Sequence, residues 1–408
     1  MKIVIATAVY YPMINGVAVF SHNLAVGLAE RGNEVMVICP SQTGRAHTEK
    51  TDGVTVKYLR SIEAKVYPDQ IHDVPKRKKL FYEYGFRVSL LPGRAIKRIL
   101  DKFSPDAIHV QVSDPIGLAA VRYARQHNVP VVTTEHNQPE VITEPLNLPK
   151  VIERPVNALL SAYFANRQSK SDFVTMPTEQ AIDNLLWSKG RELKVPVAAV
   201  SNGVDLRHFK PGRASDGIYE KYGVDKNKKT VLYLGRIDPE KNVQAVIDAY
   251  IKAKNNVNDT QLVIVGDGVD KARLEKYIGD TKDVYFLGRV TPPELYEVYK
   301  FGDVFVTASE IETQGIVLIE AAACGMPLVA VNAGAVREVC RDGENGVLCE
   351  PGNVTQMAEA TTKILTDDKL RKSYSKKSLE IAKEHDFERT LDRFENIYRK
   401  VMGSKTPL

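Results

Sequence analysis

Short β-branched runs alternate with helical stretches along the whole chain. Residues 3–8, 35–39, 54–59, 107–111 and 129–134 read as buried parallel strands. Between the first two, residues 20–31 form an amphipathic helical run closed by Gly32. This β-α-β alternation predicts a doubly wound parallel sheet. Residues 151–195 are helical in pattern apart from a short strand at 174–176, and the charged, glycine-containing stretch 212–229 marks a crossover. A second alternating set follows, with strands at 231–233, 262–265, 284–287, 304–307, 328–331 and 346–348 and a helix from Val243. Two α/β domains are expected, 1–204 and 205–387. The last helix, within 388–408, aligns Leu391, Phe394, Ile397, Tyr398 and Val401 on one face and is expected to pack back on the first domain.

Doubly wound sheets bind ligands beyond the C-terminal ends of their strands, so the loops there are the candidate sites. Loop 10–17, YYPMINGV, carries Gly16, where a backbone can approach a phosphate closely. Segment 134–138, TEHNQ, carries His136 at a strand end. In GRIDPEKN, 235–242, Arg236 and Lys241 flank a turn at a helix start. Cations there oppose the helix dipole, a local cost that a bound diphosphate would reverse.

The richest stretch is 309–327, SEIETQGIVLIEAAACGMP. Glu312 falls in a polar loop after a strand, and Glu320 lies inside an amphipathic helix. Thr313 is the expected cap, Gly325 the left-handed close and Pro327 the stop. The amides of Gly315, Ile316 and Val317 then lie at a helix N-terminus, a ready site for an anion. Glu312 would stand beside that anion and Glu320 about two turns along, placed for two different hydroxyl-bearing groups. A nucleotide-sugar satisfies all three: diphosphate on the amides, one sugar on each carboxylate.

Composition narrows this reading without redirecting it. The chain has 408 residues, 43% hydrophobic and 26% charged, as a soluble globular protein does. It lacks the run of about eighteen apolar residues that a membrane-spanning helix needs. The start, MKIVIATAVYYP, reads as a strand rather than a signal peptide. Cys39, Cys324, Cys340 and Cys349 show no ligand spacing and are expected to be reduced, mostly buried thiols in a cytoplasmic protein. No Asp-x-Asp, HExxH or helical His pair is present, so no metal is expected. GDGVDK at 266–271 lacks the third glycine of a dinucleotide loop, which argues against hydride transfer.

A net charge of +5 admits anionic partners. Lys76, Arg77, Lys78 and Lys79 precede the aromatics Phe81, Tyr82, Tyr84 and Phe86. Helix 94–103 then sets Arg94, Lys97, Arg98 and Lys102 against Ile96, Ile99, Leu100 and Phe103. Such a basic amphipathic segment is expected at an anionic membrane surface. The alternative is an apolar face packed on the sheet and a basic face that is merely wet. Nothing resembles a nucleic-acid module.

Arg236, Lys241, Glu312 and Glu320, with SNGVD at 201–205, VGDG at 265–268 and ENG at 344–346, resemble the retaining glycosyltransferases of family four. The resemblance covers nearly the whole chain. It implies the GT-B fold, two Rossmann-like domains with the active site in the cleft between them. It further implies diphosphate binding by Arg236 and Lys241, aided by Gly16 and the amides of Gly315, Ile316 and Val317. Glu312 would bond the donor sugar, Glu320 the ribose, and His136 the sugar near the reaction centre. The base would rest against Arg289 and Val290. Transfer would retain configuration with no obligatory cofactor or divalent ion, and the donor would be a UDP-sugar rather than a GDP-sugar. At the first glutamate the family often carries Phe-Gly, whereas this chain has Glu312-Thr313-Gln314-Gly315. ETQG resembles the branch that glucosylates diacylglycerol and related lipids. With the basic segment, it implies transfer of glucose to a membrane lipid by a protein peripherally bound to the inner membrane face. The alternatives are a soluble sugar or polyol acceptor, or a nucleotide-sugar-binding protein without turnover.

Overall fold

The computed structural model describes residues 1–11, 13, 15–63, 87–111, 114–136, 149–187 and 195–404. The chain forms two compact units, Met1–Ser201 with Thr390–Leu408, and Asn202–Arg389.

In the first unit the strands are β1 (Lys2–Ala6), β2 (Glu34–Pro40), β3 (His47–Thr51), β4 (Val54–Leu59), the short pair β5 (Ile62–Glu63) and β6 (Arg87–Val88), β7 (Ala107–Val110), β8 (Val131–Thr134), β9 (Phe173–Met176) and β10 (Val197–Ala199). Eight of them make one sheet in the order β10-β9-β8-β7-β1-β2-β4-β3. All its neighbours are parallel except β3 and β4. β7, β8 and β9 are buried at every position, because helices cover both faces of a parallel sheet. β3, HTEKT, is an exposed polar edge strand, and its composition predicts no strand at all.

Helix α1 (Gly16–Glu30) starts on Asn15, whose side chain accepts from the Ala18 N–H at 2.9 Å. Such a cap contributes about 0.5–2 kcal/mol. Helix α2 (Gly93–Phe103) buries Ile96, Leu100 and Phe103 in a cluster with Val4, Ile38 and Ile108. Its apolar face is thus spent on the sheet, and Arg94, Lys97 and Arg98 are left on the exposed side, with Lys97 paired to Asp101 at 2.8 Å. Lys76, Arg77, Lys78 and Lys79 lie outside the described residues. Helix α3 (Lys150–Gln168) runs along the same unit. Among the described residues no helix is long and apolar enough to cross a membrane.

The second unit carries β11 (Lys229–Leu234), β12 (Thr260–Val265), β13 (Val284–Gly288), β14 (Val304–Thr307), β15 (Leu328–Val331) and β16 (Gly346–Cys349). They are all parallel, in the order β13-β12-β11-β14-β15-β16. This is the dinucleotide-fold order, with its switch point between β11 and β14. Two apolar clusters fill the two faces, one around Tyr250 and Ile364 and the other around Leu318 and Phe301. Helix α4 (Ile316–Ala323) belongs to the second. Cys39, Cys340 and Cys349 are buried free thiols, and Cys324 is partly exposed.

Helix α5 (Phe387–Gly403) ends the described chain. Its Phe394 and Tyr398 are buried against the His109 ring of β7, with centroids 5.0 and 5.7 Å away, and Phe394 also meets Phe20 of α1 at 6.0 Å. Arg31 reaches Asp392 at 2.7 Å, and Arg393 donates to the Ala199 carbonyl at 3.0 Å. Phe394→Ala removes a fully buried ring from this packing. It is expected to destabilise the first unit by about 3–5 kcal/mol, read from urea denaturation through the single tryptophan, Trp187.

Candidate functional site

Two groups of side chains gather at strand ends, one in each unit. In the second unit the loops after β11 and β14 diverge at the switch point. Lys241 ends a 3-10 turn, Pro239–Lys241, and Glu312 lies in the loop before α4. Their side chains meet at 2.7 Å, each about one-sixth exposed. The ammonium also reaches Ser309 Oγ at 3.3 Å and the Ile311 carbonyl at 3.4 Å. Arg236 points to the same loop's acids, pairing with Asp238 and Glu240. Sequence reasoning treated Arg236 and Lys241 as two cations awaiting an anion. In the structure carboxylates already hold both.

The start of α4 differs from the expected one. Thr313 is not the cap: Gly315 takes that position with φ +73°, a left-handed conformation that favours glycine. The amides of Gly315, Ile316 and Val317 remain in the first turn, where a helix has no internal acceptor for them. Gly325 does take the left-handed close, at φ +81°. Gln314 is buried, and its Oε1 accepts from the Asn202 N–H at 3.1 Å. Gln314 therefore ties SNGVD to the α4 loop.

Glu320 is further along α4, its carboxylate 2.5 Å from the Tyr299 hydroxyl. Burial pushes its pKa up to about 7, and the Tyr299 bond pulls it partly back. Arg289 and Val290 follow β13, whose last residue Gly288 is left-handed at φ +71°.

Two glycines hold the β11 loop in place. A Cβ on Gly266 would lie 1.9 Å from the Gly235 carbonyl oxygen, and one on Gly268 would lie 2.2 Å from that of Ile237. VGDG is thus a close backbone contact with GRID, and it is this packing that sets where Arg236 and Lys241 start. Gly334 does the same on the far side, where a Cβ would stand 3.2 Å from the Glu312 carbonyl oxygen.

In the first unit Gly16 opens α1, and a Cβ there would meet nothing within 4 Å. Neither strain nor packing demands this glycine. His136 follows β8, its Nε2 2.8 Å from Gln111 Oε1 and its ring edge-on to Phe20 at 5.3 Å. Burial among these groups pushes its pKa down to about 4, so the ring is neutral at physiological pH. Gln111, two residues after His109 at the end of β7, escaped sequence reasoning, because only the pairing of β7 with β8 brings it to His136.

Two family models match consecutive stretches, "Glycosyltransferase Family 4" over residues 14–208 and "Glycosyl transferases group 1" over 216–380. The chain is a family four glycosyltransferase. It is 27% identical over 404 residues to N-acetyl-alpha-D-glucosaminyl L-malate synthase of Bacillus anthracis, covering 96% of each chain. It is also 27% identical over 358 residues to alpha-monoglucosyldiacylglycerol synthase of Acholeplasma laidlawii, covering 85% of this chain and 84% of that one. Among solved structures, the Anabaena protein HepE in complex with UDP superposes with a TM-score of 0.71 at 17% identity, over 98% of this chain and 100% of its own. These likenesses place the glycosyltransferase in the GT-B fold, with two Rossmann-like α/β units.

Glu320 gives a stability test. An unfolded glutamate titrates near about 4.3, well below the folded value of about 7. The folded chain binds this proton more tightly, so the contribution is present below the unfolded pKa and is lost as pH rises through 7. Between pH 5 and pH 8 this one group should remove about 2–3 kcal/mol, and Glu320→Gln should flatten that slope in urea denaturation. Equal slopes in the two proteins would contradict the burial of the carboxyl.

Proposed function

We propose that the enzyme transfers glucose from UDP-glucose to a membrane lipid such as diacylglycerol, with retention of configuration and no obligatory metal. The observation that carries the donor half of this reading is the Lys241–Glu312 pair, set beside the first-turn amides of α4. Lys241, Arg236 and the amides of Gly315, Ile316 and Val317 take the diphosphate, with Gly16 leaving room for its approach. Glu312, released from Lys241 as phosphate arrives, turns its carboxylate to the sugar hydroxyls. Glu320 binds the ribose, and Arg289 and Val290 flank the base. His136 contacts the sugar as a neutral ring, and the departing phosphate takes the acceptor's proton on the face it leaves.

Support for a lipid acceptor comes from the relative named for monoglucosyldiacylglycerol, and the glucosyl in that name supports the sugar. HepE was solved with UDP, which makes a uridine nucleotide the first donor to try. Membrane contact would rest on charge, because α2 has its apolar face in the core and offers Arg94, Lys97 and Arg98 together with the preceding, exposed Leu90 and Leu91. A soluble hydroxyl-bearing acceptor is the second reading, favoured by the relative named for L-malate, which matches over more of the chain.

The deciding experiment incubates the purified enzyme with a panel of UDP- and GDP-sugars, with and without EDTA, and with anionic vesicles containing diacylglycerol. A glucolipid formed from UDP-glucose in EDTA is the expected product. Donor turnover only with soluble acceptors would move the acceptor to the second reading, and a requirement for divalent metal would reject the metal-free mechanism. Lys241→Ala and Glu312→Ala should each lower kcat/KM by at least about 100-fold with an unchanged circular dichroism spectrum. Wild-type rates in both would sink the donor assignment.

Neutralising Lys76, Arg77, Lys78 and Lys79 together should weaken cosedimentation with phosphatidylglycerol vesicles, by about 1 kcal/mol per charge near the surface, while leaving UDP affinity as it is. Unaltered vesicle binding would remove that cluster from the membrane reading.

A further inference from the structure

His109 and Gln111 lie two residues apart along β7 and its extension, and Thr134 and His136 do the same along β8. The two strands pair in parallel, with Val110 opposite Thr133, so a second row of polar groups forms just past the last rung of the sheet. His109 is fully buried, with Nδ1 2.7 Å from the Tyr398 hydroxyl and Nε2 2.6 Å from Thr134 Oγ1. Burial holds the Tyr398 phenol protonated, and among the described residues His109 Nδ1 is the one hydrogen-bond partner of that hydroxyl, so the hydroxyl donates and Nδ1 accepts. His109 Nε2–H then donates to Thr134, whose own hydroxyl passes to Thr175 at 2.6 Å. Every proton in this chain has a direction.

With both ring nitrogens of His109 so engaged, the Gln111 amide meets the ring from its face. Its Nε2 lies 3.4 Å from both ring nitrogens of His109, and its Oε1 lies 2.8 Å from His136 Nε2. Equal distances to the two ring nitrogens set the amide over the His109 ring face, where an N–H donates to the π-system and a flipped carbonyl oxygen would be repelled by it. The amide therefore presents an acceptor to His136, and an acceptor demands a proton on Nε2.

We propose that Gln111 is a positioning residue that fixes His136 in one neutral tautomer, proton on Nε2 and lone pair on Nδ1. The assignment rests on the reading of His136 as a donor-site residue. A glutamine does here what a carboxylate does beside many functional histidines, orienting the ring and choosing its tautomer, but without stabilising the imidazolium. The groups facing the ring are consistent with a neutral state. β7 contributes His109, itself held well below the ordinary range at about 3 by burial and by His136. α1 contributes the apolar Phe20 ring, and α5 contributes Tyr398 through His109. The adjacent Glu135 is buried, and its carboxylate accepts from Gln168 of α3 at 3.3 Å.

The test uses full-length enzyme with 15N-labelled histidine, Gln111→Glu and Gln111→Leu variants, and His136→Ala both to assign the resonance and as a functional control. Long-range 1H–15N spectra of the wild type should show His136 neutral with the proton on Nε2 across the neutral range. Gln111→Glu should raise the His136 titration by at least about one pH unit, a carboxylate now facing the ring. The low-pH limb of kcat for UDP-glucose turnover should rise with it, and KM for UDP-glucose should stay put. Gln111→Leu should mix the tautomers and lower kcat by about 10- to 100-fold, the range over which such outer partners act. An unmoved titration in Gln111→Glu together with an unmixed tautomer in Gln111→Leu overturns the proposal. Wild-type turnover in His136→Ala overturns instead the functional reading beneath it, and the spectra tell the two failures apart.

Discussion

The second unit depends on one constraint, the reversal of strand order between β11 and β14. Connections leave β11 towards one edge of the sheet and leave β14 towards the other, so the loops at their C-terminal ends diverge. Where they diverge, the cation of the β11 loop and the carboxylate of the β14 loop meet at 2.7 Å. Neither is held by its own segment alone. Gly266 and Gly268 let one strand-end loop lie backbone to backbone on the GRID turn, and Gly334 lets another approach the Glu312 carbonyl. A side chain at the first two positions would need space that carbonyl oxygens already occupy.

The first unit solves a different problem. His109 sits in a parallel sheet with both faces covered, where an unpaired polar atom is expensive. The last helix supplies the remedy: Tyr398 closes one side of the ring while Thr134 closes the other, and Phe394 packs between. A buried network of this kind is stable only when each member is satisfied, and it then imposes orientation on whatever it touches at its rim. His136 is at that rim.

Much of this was legible in the residues themselves. β14 and β15 were placed to the residue, because VFVT and LVAV are apolar on both faces as a central parallel strand must be. The acids and cations of the second unit stood out because each follows such a strand. β3 was not legible, since HTEKT forms an edge whose side chains face water and carries no apolar signature. Thr313 looked like a cap because hydroxyls commonly are, yet the loop turns through Gly315, whose missing Cβ permits the tighter start. The amphipathic pattern of α2 fitted a membrane face and a core face equally well, and packing chose the core for Ile96, Leu100 and Phe103.

The sequence by itself determined the alternating α/β elements, the family and the residues that terminate strands with charge, because periodicity, β-branching and motif spacing are local properties of the chain. Tertiary structure alone decided that Lys241 holds Glu312, that Tyr299 holds Glu320, that Gln314 serves the SNGVD backbone and that Gln111 faces His136. The partners in these four pairs stand between 21 and 112 positions apart. Which distant residues meet follows from how strands are ordered and registered in the sheet, and that depends on the collective burial of the whole core rather than on any segment's own pattern.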